Sequence, residues 1–476
     1  MNRLSSGYLL PLFAGPAVFV MVLLNEPLFS GMSHAAWLLS GLTAWMAIWW
    51  ITESVPIPAT SLLPIVVVPL LNLDTVGNVT TPYADPLIFL FLGGFILSIA
   101  MERWNLHKRV ALLTMLMVGS KPSQQIAGMM LVTAFLSMWM SNTATAVMML
   151  PIALSIIGMQ DDISDKFAKA MLLSIAYAAS IGGVATLIGT PPNALLAGYL
   201  RNQYQLDVGF AEWMLLGVPV ALTMLFATWY WLTQWHFRFD HNDLQVSRQL
   251  YLDKLSALGP MQRAEKIVLA VFVLAANLWV LRPWLAKLTG LPLNDTLTAI
   301  FCASLLFVIP VSIKTGQRVL VWEDCAKLPW GILILFGGGL TLAAQIQQSG
   351  LADFIASQVG ALGAINLLLL IVLVTSIIIF LTEITSNTAT AAAFLPLLGP
   401  VAVSLNTSAS MLVIPAAIAA SCAFMMPVAT PPNAIVFGSG KLKIADMVKA
   451  GFVLNLLAIV VITVAVWFIS PYLFDF

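Results

Sequence analysis

The chain has 476 residues, of which 60% are hydrophobic and 9% are charged, and its mean hydropathy is +0.95. Soluble domains carry roughly 25% charged residues, so the composition excludes a soluble globular protein and predicts an all-α polytopic membrane protein. The formal net charge is zero, and the three cysteines and four histidines are scattered along the chain. Neither a nucleic-acid partner, a disulfide framework nor a transition-metal site is therefore predicted.

In chain order, eleven apolar stretches are each long enough for a helix to cross roughly 30 Å of hydrocarbon. The first is interpreted as a span and not as a signal peptide, because no small-residue cleavage site follows it. Two further apolar regions, 124–157 and 364–404, contain SNTAT near their middle and are interpreted separately. The eleven predicted spans cover 8–25, 35–52, 56–73, 86–101, 169–199, 212–233, 265–282, 294–313, 328–344, 412–439 and 448–470.

The distribution of cations predicts the orientation of the chain. With a cytoplasmic amino terminus and eleven crossings, all of the 21 Lys and Arg residues except Arg201, Arg282 and Lys287 lie in the cytoplasm. The positive-inside rule therefore predicts a multi-pass membrane protein with its amino terminus in the cytoplasm and its carboxyl terminus outside the cell membrane. This topology requires that 124–157 and 364–404 add no net crossing.

Three motifs occur twice in the same order. FLGG at 91–94 matches LFGG at 335–338, SNTAT at 141–145 recurs at 386–390, and TPPN at 190–193 recurs at 430–433, with offsets of 244, 245 and 240 residues. The near-constant offset indicates an internal duplication of about half the chain. Because an odd number of spans separates the two units, the second unit is predicted to be inverted, as in many secondary transporters.

The SNT motif favours a turn or a helix end, because Ser, Asn and Thr side chains hydrogen-bond their own backbone. A single SNT is equally typical of small polar residues that join membrane helices. Two copies, each in the middle of an apolar region, favour re-entrant hairpins that turn at SNT near the membrane midplane. Non-helical backbone is tolerated at that depth only beside protein or a water-filled cavity.

The TPPN motif predicts a broken helix in each unit, because a Pro removes a helical donor and restricts the residue before it. A Pro pair alone would more often be a simple kink. Both breaks are flanked by polar groups, however. In the first unit these groups belong to Gly189, Thr190 and Asn193. Freed carbonyls can coordinate sodium, and half-helix amino termini attract anions.

The nearest Lys or Arg lies more than 19 residues from either SNT. An anion in a dry site without a countercharge is costly, so bound sodium ions are expected to supply the charge. The motifs and this absence together predict a sodium-coupled anion site.

The doubled SNT and TPPN motifs, with WWITESVPIPATSLLP at 49–64, resemble those of the divalent anion/sodium symporter family, the dicarboxylate and citrate carriers. The resemblance covers nearly the whole chain and implies a homodimer with an elevator-type transport domain. It also implies substrates such as succinate, malate, fumarate or citrate. Some relatives are sodium-independent exchangers with a basic residue near the sodium positions, which this chain lacks.

The resemblance also implies the residues of the site. One sodium ion is expected at Ser137, Ser141, Asn142 and Gly189, and a second at Thr382, Thr385, Asn387 and Ala429. The substrate is expected at Asn142, Thr143, Thr190, Ser386, Asn387, Thr388, Thr430 and Pro431. Sodium is co-transported, and no organic cofactor is expected.

Four segments follow from the same resemblance: scaffold at 1–118, transport domain at 119–236, a cytoplasmic linker with more scaffold at 237–355, and transport domain at 356–476. The second span fits either domain. An interfacial helix is expected at 101–116. Glu383 is interpreted as a cap for backbone donors of the hairpin loop more than as a sodium or proton ligand, and Glu53 as structural.

Three classes of function fit a polytopic membrane protein: a secondary carrier, a channel and a membrane-embedded enzyme. The chain has no HExxH, GxSxG or Walker A motif, so neither an enzyme nor an ATP-driven pump is predicted. The doubled hairpins favour a carrier. The sequence therefore predicts sodium-coupled symport of C4-dicarboxylates, with a sodium-independent dicarboxylate or citrate exchanger and a sulfate or other divalent anion symporter as alternatives.

Overall fold

The computed structural model describes residues 6–158, 165–238, 248–360 and 366–474. Within these residues the chain is helical apart from a small ribbon of β1 (Pro310–Ser312) and β2 (Gln317–Arg318). The helices are α1 (Ser6–Leu24), α2 (His34–Thr52), α3 (Ile57–Thr60), α4 (Leu63–Leu70), α5 (Val76–Thr80), α6 (Pro86–Arg103), α7 (Leu106–Met117), α8 (Pro122–Ser137), α9 (Asn142–Ile157), α10 (Asp165–Val184), α11 (Pro191–Tyr204), α12 (Phe210–Tyr230), α13 (Arg248–Ala257), α14 (Arg263–Thr289), α15 (Asp295–Val308), α16 (Trp330–Gln348), α17 (Leu351–Gly360), α18 (Leu367–Thr382), α19 (Asn387–Ser404), α20 (Ser410–Ala420), α21 (Pro431–Phe437) and α22 (Ile444–Phe474). Short 3-10 helices cover Thr81–Ala84 and Trp322–Lys327, and a π-helix covers Trp231–His236.

Eight helical stretches of the described residues are long and apolar enough to cross a membrane. They confirm the predicted class of multi-pass, all-α membrane protein. The stretch at 56–73 differs from the sequence prediction, because it forms the two short helices α3 and α4 and not one continuous span. Pro58 and Pro64 in this stretch supply no backbone N–H, so an uninterrupted helical hydrogen-bond ladder cannot form.

Helices α6 to α12 and α16 to α22 follow one another in the same order. The interfacial helix predicted at 101–116 corresponds to α7, which is followed by the hairpin helices α8 and α9. Its counterpart in the second series is α17, which precedes α18 and α19. The inverted arrangement of the two series in the membrane remains a prediction.

The chain breaks where the motifs predict it. Helix α8 ends at Ser137 and α9 begins at Asn142, and α18 ends at Thr382 before α19 begins at Asn387. At the TPPN motifs, α11 and α21 begin on the first Pro of each pair, after non-helical segments that follow α10 and α20. Proline suits this first position because the N–H it lacks would have no helical partner there. Parts of the predicted segments, at 1–5, 159–164, 239–247, 361–365 and 475–476, lie outside the described residues.

The two series interlock at their broken helices. Helix α11 packs on α19 and α20 of the second series, and α21 packs on α9 and α10 of the first. Helix α20 is buried along its whole length, and α10 is almost entirely buried. The hairpin turn of each series is therefore brought next to the broken helix of the other.

Candidate functional site

A cavity of about 440 Å³ lies where α9, α11, α19 and α21 begin. It brings together both SNT motifs and both TPPN motifs, which are 245 and 240 residues apart in sequence. The duplicated motifs therefore converge on a single space. Its lining residues are Glu53, Phe95, Ser141, Asn142, Thr143, Ile188, Gly189, Thr190, Pro191, Ile332, Ser386, Asn387, Thr388, Val428, Ala429, Thr430, Pro431, Pro432 and Ala434.

All the predicted site residues line this cavity except Ser137, Thr382 and Thr385. Ser137 and Thr382 are fully buried directly behind the two Asn residues of the SNT motifs. Thr385 is also buried, and its hydroxyl contacts the carbonyl oxygen of Leu381 and the hydroxyl of Thr390. The structure thus places Thr385 in the wall of the second hairpin turn, away from the cavity lining.

Oxygen atoms cluster behind the first SNT turn. The Ser137 hydroxyl oxygen lies 2.6 Å from Asn142 Oδ1 and 2.7 Å from the carbonyl oxygen of Ala179. A hydroxyl group has one hydrogen and can donate to only one of these two acceptors. The cluster therefore has more oxygen acceptors than donors, which is the environment that a sodium ion requires.

The second half repeats this cluster atom for atom. The Thr382 hydroxyl oxygen lies 2.7 Å from Asn387 Oδ1 and 3.0 Å from the carbonyl oxygen of Ala420. In each half the amide oxygen of the SNT Asn faces a hydroxyl on the preceding helix. The same Asn residue lines the cavity, so Asn142 and Asn387 each connect an oxygen cluster to the cavity.

The Asn residues of the TPPN motifs hold the unwound loops. Asn193 Nδ2 donates to the carbonyl oxygens of Gly183 and Thr186, at 3.1 and 2.8 Å. Asn433 Nδ2 does the same for Ala423 and Met426, at 3.2 and 2.9 Å. Both residues are fully buried. The sequence indicated polar side chains after each Pro pair, but it did not predict this loop-holding role.

The first unwound loop is closed too tightly for a side chain at Gly189. A Cβ atom there would lie 2.4 Å from the carbonyl oxygen of Gly183, and a Cβ on Gly183 would lie 2.7 Å from Asn142 Oδ1. These distances are shorter than any ordinary contact. Only glycine at both positions allows the loop to approach the SNT turn this closely.

Glu383 connects the second hairpin to the second unwound loop. Its carboxylate accepts hydrogen bonds from the backbone N–H groups of Phe424, Met425 and Met426, at 2.7 to 3.0 Å, and from Asn455 Nδ2 at 2.7 Å. Glu383 does cap backbone donors, but the prediction that they belong to the hairpin loop is wrong. The donors belong to the loop after α20 and not to the hairpin's own turn, because the packing of α18 on α20 brings that loop against Glu383.

Glu53 is a cavity residue that the sequence did not assign to the site. It follows the last residue of α2, has a left-handed backbone with φ of 48°, and lines the cavity with its side chain exposed. A structural role at the end of a span, as predicted, does not explain why the Glu53 side chain lines the cavity. Pairing of α2 with α16 and α19 brings the end of α2 to the site, which no local signal in the sequence reveals.

The electrostatics of the cavity favour an anion accompanied by cations. The amino-terminal ends of the four helices carry unpaired N–H groups and partial positive charge. The Ser141 and Thr430 side chains each cap one of these ends, by accepting from Ala144 N and Asn433 N. No Lys, Arg or His residue lines the cavity in the described part of the chain. Full neutralisation of a dianion there therefore requires mobile cations.

Comparison with known proteins supports the same class. The sodium-dependent dicarboxylate transporter SdcS of Staphylococcus saprophyticus is 44% identical to the chain over 479 residues, which span 98% of this chain and 92% of that protein. The protein of the same name from Staphylococcus aureus strain USA300 is 44% identical over 483 residues, with the same coverage.

A solved structure and a family model agree with these relatives. The crystal structure of the YdaH transporter of Alcanivorax borkumensis superposes with a TM-score of 0.59, covers 96% of this chain and 99% of that chain, and is 17% identical, so it shares the fold. The family model described as the sodium:sulfate symporter transmembrane region matches residues 8–474. The chain therefore belongs to the sodium:sulfate symporter family, the divalent anion/sodium symporters, and is a membrane transporter and not an enzyme.

Proposed function

We propose that the protein is a secondary active transporter that carries C4-dicarboxylates such as succinate, malate or fumarate into the cell together with sodium ions. The observation that carries the proposal is the convergence of both SNT and both TPPN motifs on one cavity without a cationic side chain. The names of the relatives, sodium-dependent dicarboxylate transporters, support it.

Sodium binds first in this proposal, at the two oxygen clusters. The first ion takes the hydroxyl groups of Ser137 and Ser141, the Asn142 amide oxygen and the loop carbonyl of Gly189. The second takes ligands from Thr382, Thr385, Asn387 and Ala429 in the other half, where Thr382, Asn387 and Ala429 are the equivalents of Ser137, Asn142 and Gly189. Each sodium ion provides positive charge for the oxygen acceptors of its cluster to which the single hydroxyl hydrogen cannot be donated.

The dicarboxylate then binds between the two SNT turns. One carboxylate accepts hydrogen bonds from Asn142 and Thr143, and the other from Ser386, Asn387 and Thr388. Thr190, Thr430 and Pro431 form the other wall. Because each SNT Asn contacts a sodium ion through Oδ1 and a carboxylate through Nδ2, bound sodium fixes the amide for the substrate, and this shared contact couples the two.

The alternatives predict different sites. Sulfate is a single compact anion, whereas the cavity of about 440 Å³ has an anion-binding turn on each side, which suits two carboxylates on a short carbon chain. A sodium-independent exchanger needs a fixed cation in place of sodium, and the lining within the described residues supplies none.

The proposal also includes the arrangement in the membrane. The protein is a homodimer in the bacterial inner membrane with a cytoplasmic amino terminus and inverted repeats. The scaffold comprises 1–118 and most of 237–355, and the transport domain, which moves as an elevator, comprises 119–236 and 356–476. The partly exposed ion pair of Lys169 with Asp446 supports this division, because it joins the two transport segments.

Uptake of labelled succinate into proteoliposomes tests the function. Uptake should require an inward sodium gradient and should be electrogenic if more than two sodium ions accompany each dianion. Excess unlabelled malate or fumarate should compete, and sulfate should not. Equal uptake in potassium or choline medium, driven only by internal dicarboxylate, would establish the exchanger, and competition by sulfate alone would establish the sulfate carrier.

A further inference from the structure

Glu53 is the one ionisable residue among the described residues that line the substrate cavity. The remaining lining consists of Ser, Thr and Asn side chains, backbone and apolar groups. A negative charge is unexpected in a site that receives a dianion, since like charges repel. The carboxylate of Glu53 must therefore affect how the cavity binds a charged substrate.

Glu53 ends α2 with a backbone φ of 48°, in the left-handed region. Gln205 ends α11 in the same way, with a φ of 58°, so the backbone conformation alone assigns no role to Glu53. Among the described residues, Glu53 takes no part in the hydrogen bonds of Ser137, Thr382 or Glu383. Its side chain is exposed and lines the cavity.

We propose that Glu53 is a specificity-determining residue that sets the charge of the substrate which the cavity accepts. This inference rests on the proposed function. Repulsion from one fixed negative charge grows with each charge on the substrate, so it weakens the binding of a tricarboxylate trianion more than that of a dicarboxylate dianion. The same charge attracts sodium ions into the cavity.

The charge of Glu53 weakens anion binding and strengthens sodium binding. A structural role would affect both ligands in the same direction, so measuring both distinguishes a charge role from a structural role. Replacing Glu53 with Gln keeps the size of the side chain and the backbone strain but removes the charge. At saturating sodium, the variant should bind the anion more tightly. At saturating substrate, it should need more sodium for half-maximal uptake.

The sizes of the effects are linked. If repulsion weakens binding about threefold for each substrate charge, its removal strengthens a dianion about tenfold and a trianion about thirtyfold. If attraction by Glu53 strengthens the binding of each sodium ion about threefold, the half-saturating sodium concentration should rise about threefold when the charge is removed. Glu53→Asp, which retains the charge and tolerates the left-handed backbone, should behave like the wild type.

The experiment measures uptake of succinate and of citrate trianion by wild-type, Glu53→Gln and Glu53→Asp proteins in proteoliposomes. Glu102→Gln is the matched control, because it removes an exposed carboxylate that does not line the cavity. Tighter anion binding with a higher half-saturating sodium concentration in Glu53→Gln alone, and a larger gain for citrate than for succinate, are expected. Weakening of both ligands together, or no change in either, would overturn the charge role, while absence of sodium-dependent succinate uptake in the wild type would overturn the proposed function itself.

Discussion

Glu383 shows how a single residue distinguishes the two halves of the molecule. The equivalent position in the first half, 245 residues earlier, is Met138. The first unwound loop is instead held by Thr186, which donates to the carbonyl oxygen of Met138, and by Trp213, which donates to that of Val184. The two proposed sodium sites therefore have matching oxygen clusters but differ in what supports their loops.

Glu383→Gln should weaken sodium binding by at least about tenfold while the protein remains folded. The carboxylate accepts from three backbone N–H groups and from Asn455, and bonds to a charged acceptor contribute about 1.5–3 kcal/mol each. A Gln amide would turn an NH₂ group towards some of these donors, so the loop that carries Ala429 would shift. The sodium dependence of succinate uptake and the melting temperature of the purified variant measure this. An unchanged sodium dependence would show that the loop keeps its position without the charge.

At the scale of the element, helix breaks were predictable and their partners were not. The Pro pairs and the SNT residues break a helix by local chemistry, so the starts of α9, α11, α19 and α21 follow from the sequence. The place of Glu53 in the cavity depends on long-range packing of α2. The same applies to the donors of Glu383, which lie 41 to 72 residues away in sequence. Local patterns cannot specify contacts of this kind.

The two unwound loops should respond differently to small changes at equivalent positions. Gly189→Ala would place a Cβ within 2.4 Å of the carbonyl oxygen of Gly183, so the first loop must move away from the end of α10. Its counterpart 240 residues later is Ala429, where a Cβ is already accommodated. Gly189→Ala should lower sodium affinity by about tenfold or more, a loss of at least about 1.4 kcal/mol.

Ala429→Gly is the matched control for this change and should retain most of the sodium affinity. Both variants are compared by the sodium concentration that gives half-maximal succinate binding. Equal behaviour of the two would contradict the idea that a close approach at Gly189 shapes the first sodium site.

At the scale of the whole molecule, the ion pairs follow the proposed division into scaffold and transport domain. Among the ion pairs of the described residues, that of Asp85 with Arg201 alone joins a scaffold segment to a transport segment. Asp85 also caps the start of α6 and accepts from Asn202 Nδ2 at 2.9 Å. This contact lies away from the substrate cavity, and movement of the transport domain would break it.

Arg201→Gln should therefore raise the maximal rate of uptake, by about two- to tenfold, with little change in the KM for succinate or sodium. Substitution at Arg201 leaves the capping role of Asp85 intact. The control is Arg282→Gln, which removes an ion pair with Asp295 inside the proposed scaffold. A changed KM at constant maximal rate would show that the pair acts on binding and not on movement.

The pH dependence of uptake by the whole transporter tests which charge state of the substrate is carried. The two sodium ions of the proposed site carry more positive charge than Glu53 carries negative charge, so the site should favour the dianion. Succinate uptake should therefore fall as the pH drops from about 8 towards the second pKa of succinate. Initial rates at fixed sodium and membrane potential measure this. Uptake that rises steeply towards acid pH would indicate a monoanionic substrate or coupling to protons.

The central claim is that both SNT turns form one site shared by sodium and a dicarboxylate. The most direct measurement is sodium and succinate binding to purified, monodisperse Asn142→Ala and Asn387→Ala proteins. Each substitution removes a group that serves both ligands, at a cost of about 1–3 kcal/mol or more, so both variants should lose at least about tenfold in affinity for sodium and for succinate. Thr143→Ala and Thr388→Ala are the comparison, since they should weaken succinate binding with less effect on sodium. If Asn387→Ala bound both ligands like the wild type while Asn142→Ala bound neither, the two turns would not share a site.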